Sequence, residues 1–186
     1  MPSSTQAPHG LDLVIDFVNT LDVEESREDL STPSSLAAWL TDRGLLDPPA
    51  APSLSASDLD NAIRLREALR AMMLENNGGE RVPEARAELE RAAQRGDLCV
   101  HFTDDCSVEL AADTRGPAGA LAQLLVPVAD AIGDRSWRRV KACRAAECQW
   151  AFYDRSRNRS GVWCDMAVCG NRTKVRAYRE RKPQGR

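Results

Sequence analysis

Residues 143–172 read CRAAECQWAFYDRSRNRSGVWCDMAVCGNR, and the organisation of the chain is legible outward from them. Four cysteines fall as two pairs, Cys143 with Cys148 and Cys164 with Cys169; four residues separate the members of each pair and fifteen separate the pairs. Two close pairs divided by a loop is the layout of a four-cysteine zinc site, each pair forming a knuckle that offers two thiolates to one tetrahedral ion. The four-residue spacing lies at the wide end of such knuckles. Two disulfides or four unrelated thiols are the competing readings, and a reducing, intracellular setting disfavours both. Sulfur at every position leaves no open coordination site for water or substrate, so the Zn2+ expected here is structural and not catalytic. Few apolar side chains surround the cysteines, and a core that small generally needs a metal to fold.

Downstream, Gly170 is expected to turn the chain out of the second knuckle and Asn171 to cap a helix of about three turns that Pro183 stops. Arg172, Arg176 and Arg179 share one face at i, i+4 and i+7, with Lys174, Arg181 and Lys182 beside it, while Val175 and Tyr178 are expected to pack back toward the knuckles. These six cations are the candidate nucleic-acid contacts, since Lys and Arg supply sequence-independent affinity for phosphate. The net charge of −3 conceals an asymmetry: residues 1–134 carry 10 Lys+Arg against 24 Asp+Glu, residues 135–186 carry 15 against 4. Such a split points to a polyanion-facing tail, or to a tail that docks on its own acidic domain. Within the loop, Asp154 reads as a tie holding the segment down. The run RSRNRS, 155–160, reads as a phosphate-contacting loop or as a solvated linker. Arg172 is open to a second role, bonding the ion-bound sulfurs or a loop carbonyl. Phe152 and Trp163 read as core around the metal.

Upstream, the periodicity is helical. Residues 1–9 read as disordered, and 10–134 as one mostly helical domain preceding a finger at 135–186. Leu11, Val14, Ile15, Val18 and Leu21 share a helix face, with a strand reading of LVIDFV as the alternative. Thr32 as cap, Pro33 at the first position and Gly44 as stop predict a second helix. A Pro/Ala/Ser connector follows, and Ser57 is expected to cap the longest helix, whose stripe is Leu59, Ala62, Ile63, Leu65, Leu69, Met72 and Met73. A helix from Pro83 to Gly96, a β-hairpin from LCVHFT and VELAADT, and a helix interrupted by Pro127 complete the domain. Cys99 is expected to be a buried small hydrophobe and Cys106 a turn residue. The fold class is thus mainly α with a small antiparallel β element (α+β), joined to a four-cysteine finger with a basic helix.

CGNR at 169–172, preceded by WC at 163–164 and FYDRSRN at 152–158, resembles the CGNR zinc-finger family. There an N-terminal ABATE-type domain, associated with stress-induced transcription regulation, precedes the finger, and IDFVNTLD at 15–22 looks like its version of an LDFVNT-like sequence. The resemblance implies that Cys143, Cys148, Cys164 and Cys169 bind zinc and that the finger binds double-stranded DNA. A homodimer suits two-fold DNA sites, and the helical domain is compatible with an effector that the sequence does not name.

Other classes lack their marks. The chain shows no Gly-rich phosphate loop, no HExxH, no nucleophile elbow and no deaminase HxE, so no enzyme is expected. A small-molecule site near Asp16, Asn19 and Thr20 competes with a plainer reading of Asn19 and Thr20 as a helix end. No run approaches the roughly 18–20 apolar residues of a membrane helix. The N-terminus does not resemble a signal peptide, and a cytoplasmic location is expected.

Overall fold

The computed structural model describes residues 7–47 and 54–181. Ala7 is buried, its N–H bonds Asp12 Oδ2 at 2.7 Å, and Pro8–Gly10 make one 3-10 turn. The segment expected to be disordered through residue 9 is therefore ordered from Ala7; residues 1–6 lie outside the described residues. Helix α1 spans Leu11–Val18 and buries Leu11, Val14, Phe17 and Val18. The helical reading holds, but Phe17 joins the buried face and the helix stops four residues short of Asp22. It stops because the Thr20 hydroxyl donates to Phe17 O at 2.7 Å, and Leu21 instead enters a two-residue ribbon, β1 (Leu21–Asp22) with β2 (Arg27–Glu28).

Helix α2, Pro33–Asp42, begins as expected at Thr32, whose side chain accepts from Ser35 N at 3.1 Å while Ser35 Oγ receives Thr32 N–H. Helix α3, Ala56–Asn76, starts earlier than expected. Ser55 is the cap, not Ser57, because Asp58 three residues on completes a reciprocal pair: Asp58 N–H donates to Ser55 Oγ at 3.2 Å and Ser55 N–H to Asp58 Oδ2 at 2.8 Å. Helix α4, Pro83–Arg95, packs along α3, and the hairpin β3 (Leu98–Phe102) with β4 (Val108–Ala112) leads into α5 (Pro117–Gln123) and α6 (Val126–Gly133). Pro127 falls at the start of α6, so the proline separates two helices rather than kinking one. Cys99 is half-buried, not buried, because the hairpin packs on the helices only at its base, through Leu98, and runs outward to Phe102, which is 83% exposed.

A third antiparallel pair was not expected: β5 (Val140–Ala142) with β6 (Ala151–Tyr153). Trp137, Val140, Ala142 and Ala151 belong to the same buried cluster as Leu65, Leu69 and Met73 of α3. The hairpin on which the first cysteine pair stands is thus continuous with the helical core. Around the four cysteines a second, smaller cluster gathers Cys143, Ala145, Cys148 and Cys169, with Trp150, Trp163 and Cys164 packed on it. Phe152 lies in β6, outside that cluster, so Trp163 alone of the two expected aromatics packs there. The last described element is α7, Asn171–Arg181.

Candidate metal centre and basic helix

Local bonds build each knuckle. Cys143 leaves β5 with its N–H on Trp150 O at 2.9 Å, and Cys148 N–H closes on Ala145 O at 2.9 Å. Gln149, at φ +52°, turns the chain back toward β6. The second knuckle is made by Asp165, whose Oδ1 accepts from Ala167 N at 2.7 Å and Val168 N at 3.0 Å, starting a wide turn, Met166–Gly170, that runs into α7. Asp165, not Asn171, is therefore the cap. Gly170 serves packing rather than a left-handed turn: a Cβ there would collide with Met166 Sδ and stand 3.0 Å from Trp163 Cδ1.

These turns bring Cys143, Cys148, Cys164 and Cys169 together, with all four sulfurs within 4.8 Å of one another and all four cysteines free. Cys148 Sγ lies 3.5 Å from Cys164 Sγ, which lies 3.7 Å from Cys169 Sγ. Zn–S bonds of about 2.3 Å in a tetrahedron place sulfurs roughly 3.8 Å apart, so the cluster already has the dimensions of a tetrathiolate zinc site. Burial, and then bonds from Cys148, push the Cys169 thiol up to about 12; burial and the neighbouring thiols push Cys164 up as well. An ion would displace those protons and leave a closed shell of sulfur, suited to holding structure.

The helical domain grips this segment by its backbone. Asn19 receives Ala151 N–H at 2.8 Å and donates to Ala151 O at 3.0 Å. Arg70, buried on α3, donates to Gln149 O at 2.9 Å and to Val18 O at 2.7 Å. At the end of α3, Asn76 donates to Trp137 O and Val140 O, and Asn77 to Ala142 O and Val162 O, all at 2.8–2.9 Å. Beside Arg70, the equally buried Arg66 forms a fork onto Glu28, both bonds 2.7 Å, and reaches Thr20 Oγ at 3.2 Å. The sequence reading took Asn19 and Thr20 for a helix end and missed Arg66, Arg70, Asn76 and Asn77. One signal was present: Arg66 and Arg70 are spaced i, i+4 within LREALR, among the leucines of the buried stripe. Asn19 and Thr20 are thus engaged structurally, and Asp16 is exposed 3.8 Å from Arg43.

The basic helix departs from expectation at two places. Val175 is 49% exposed and does not pack on the knuckles; with Glu147, Arg172, Arg176 and Arg179 it lines a groove of about 480 Å3. Arg172 reaches away from the cysteines: its Nη2 donates to Glu24 Oε1 at 2.7 Å, across to the β1–β2 turn. Lys174, Arg176 and Arg179 are exposed. The side chains of Tyr178 and Arg181, and all of Lys182 and Pro183, lie outside the described residues. On the cysteine side the surface is acidic, with Asp22, Glu24, Glu25 and Asp165 lining a cleft of about 370 Å3 that also reaches Cys148, Cys164 and Cys169. No described helix is long and apolar enough to cross a membrane.

The structure defines the class as a helical domain joined to a four-cysteine finger with a cationic terminal helix. Residues 11–135 match the ABATE family, described as "Putative stress-induced transcription regulator", and residues 139–182 match the CGNR zinc finger. The chain belongs to the ABATE family, with a CGNR zinc finger following that domain. A search of the curated proteins finds no match.

Proposed function

We propose that this protein is a DNA-binding transcriptional regulator whose four-cysteine centre holds one Zn2+ and fixes α7 against duplex DNA. The four sulfurs within 4.8 Å at the base of a helix bearing Arg172, Lys174, Arg176 and Arg179 carry the reading. Lys and Arg on such a helix neutralise phosphates and release counterions, so affinity should fall linearly in log–log terms with salt. The zinc has no catalytic part in this reading: its four ligands are protein sulfurs, which leave no position for water or substrate. Arg181 and Lys182 extend the same cationic run.

A second reading has its own observation, the 2.7 Å bond from Arg172 to Glu24. In it the basic finger docks on the acidic domain and is withheld from other partners. An effector would act through the helical domain, where a groove of about 550 Å3 between Gly44–Asp47 and the Thr114–Gln123 segment has ligand dimensions. A homodimer would present two fingers to a two-fold site.

The test combines metal analysis with fluorescence-anisotropy binding to duplex DNA over a salt series, for the wild type and Cys169→Ser. We expect one zinc per chain and salt-dependent binding in the wild type, and loss of both in the variant. Zinc without DNA binding at low salt would leave the docking reading in possession.

A further inference from the structure

We propose that the loop 154–161 is a second nucleic-acid element, with Arg157 and Arg159 gripping backbone phosphates; this rests on the DNA reading above. The loop is a built frame, not a solvated linker. Lys141 and Asp154 are 4% and 3% exposed beneath it. Asp154 accepts from Lys141 Nζ at 2.7 Å, Ser156 N at 2.9 Å and Gly161 N at 2.9 Å. Lys141 donates to Arg159 O at 2.7 Å and Gly161 O at 2.8 Å, and Arg139 donates to Asp154 O at 3.0 Å and Ser156 O at 2.8 Å. Ser156 Oγ takes Ser160 N–H at 2.9 Å. Gly161 is required, because a Cβ there would stand 2.7 Å from Asp154 Oδ1.

Asp154 and Ser156 tie the backbone inward, and the side chains from 157 to 160 lie at the surface. Arg157, Asn158, Arg159 and Ser160 are all exposed. Arg159 is held at φ +54°, a left-handed conformation that an arginine disfavours and that persists only where surrounding bonds over-determine it. The loop's own carboxylate, Asp154, is turned inward onto Lys141 and does not neutralise the rim. A rim whose backbone is already fixed loses less conformational freedom on binding. The composition selects the partner. Residues 154–161 contain no Trp or Tyr, and Arg, the remaining common anchor of protein interfaces, stands here among Ser and Asn and not in an apolar pocket. Arg, Ser and Asn together are the side chains that contact phosphate and sugar.

The experiment uses the full-length, zinc-loaded chain and a random-sequence duplex, with anisotropy measured over a salt series. Arg157→Ala/Arg159→Asn removes both charges, and Asn tolerates the left-handed backbone at 159. Each phosphate contact contributes about 0.9 to the log–log slope, so the slope should fall by about two in this variant and stay unchanged in Arg157→Lys/Arg159→Lys. Zinc content and circular dichroism equal to wild type establish that the fold is intact. A wild type that fails to bind at low salt sinks the DNA reading itself. A wild type that binds, with the same slope in Arg157→Ala/Arg159→Asn, overturns the role of the loop and leaves the DNA reading standing.

Discussion

Lys141 is a cation enclosed by protein with each of its three protons accepted, by Asp154 Oδ2, Arg159 O and Gly161 O. Burial alone would raise the Asp154 carboxyl, but the Lys141 ammonium and the Ser156 bonds outweigh it and hold the group down to about 2. A depressed carboxyl stabilises the fold at any pH above its unfolded value, and that contribution is lost as pH falls from about 4 to about 2. Asp154→Asn leaves the ammonium buried without its counter-charge, which should cost about 3–5 kcal/mol at neutral pH. Urea unfolding of wild type and variant would show this, with the gap closing as pH approaches 2. A gap independent of pH would mean that the pair contributes packing and not charge. The tie at Asp154 was legible in the sequence because FYDRS sits between two cysteine pairs and must be held. Its partner was not: a lysine within VKAC reads as a surface residue until a long-range fold encloses it.

At the scale of elements, α7 is tied to the helical domain by one side chain and otherwise open. Its Arg172 is held by Glu24, while Lys174 and Arg179 face solvent. If α7 meets DNA, the phosphates compete with Glu24, so Glu24→Gln should tighten binding to duplex by a few-fold, the worth of one exposed ion pair. Unchanged affinity would place Arg172 outside the contact. Elements with local signals were readable: Thr32 and Pro33 for α2, Pro83 for α4, the alternation of β3 and β4. The cap of α3 is Ser55 and not Ser57, and the signal for it is Asp58, three residues beyond Ser55. The β5–β6 pair escaped because its strands have three residues each and derive their stability from α3, not from their own pattern. Val175 was misread because helical spacing says which residues share a face but not whether that face has a neighbour.

For the whole molecule, the two buried clusters differ in what holds them. The larger runs from Leu11 through α3 into Val140 and Ala151; the smaller depends on sulfur. Chelation should therefore release the knuckles without unfolding the helices. Hydrogen exchange after metal removal should quicken across 143–170, while α3 keeps its protection and far-UV dichroism changes little. Collapse of the whole dichroism signal on chelation would mean that the ion supports the entire fold. The cysteine cluster was legible because its four members fall as two close pairs in sequence. The attachment of the finger to the helical domain was not, since Asn and Arg ordinarily read as solvent-facing.

That attachment bears on how such a chain can be inherited. Asn19, Arg70, Asn76 and Asn77 end on carbonyls at Ala151, Gln149, Val140, Ala142 and Val162, so the seam is written half in one domain and half in the other. A finger cut out at residue 139 and moved to a foreign scaffold would carry its cysteines but exchange those fixed donors for water. Moving the module with its seam intact would take Asn19 and the C-terminal half of α3 along with it.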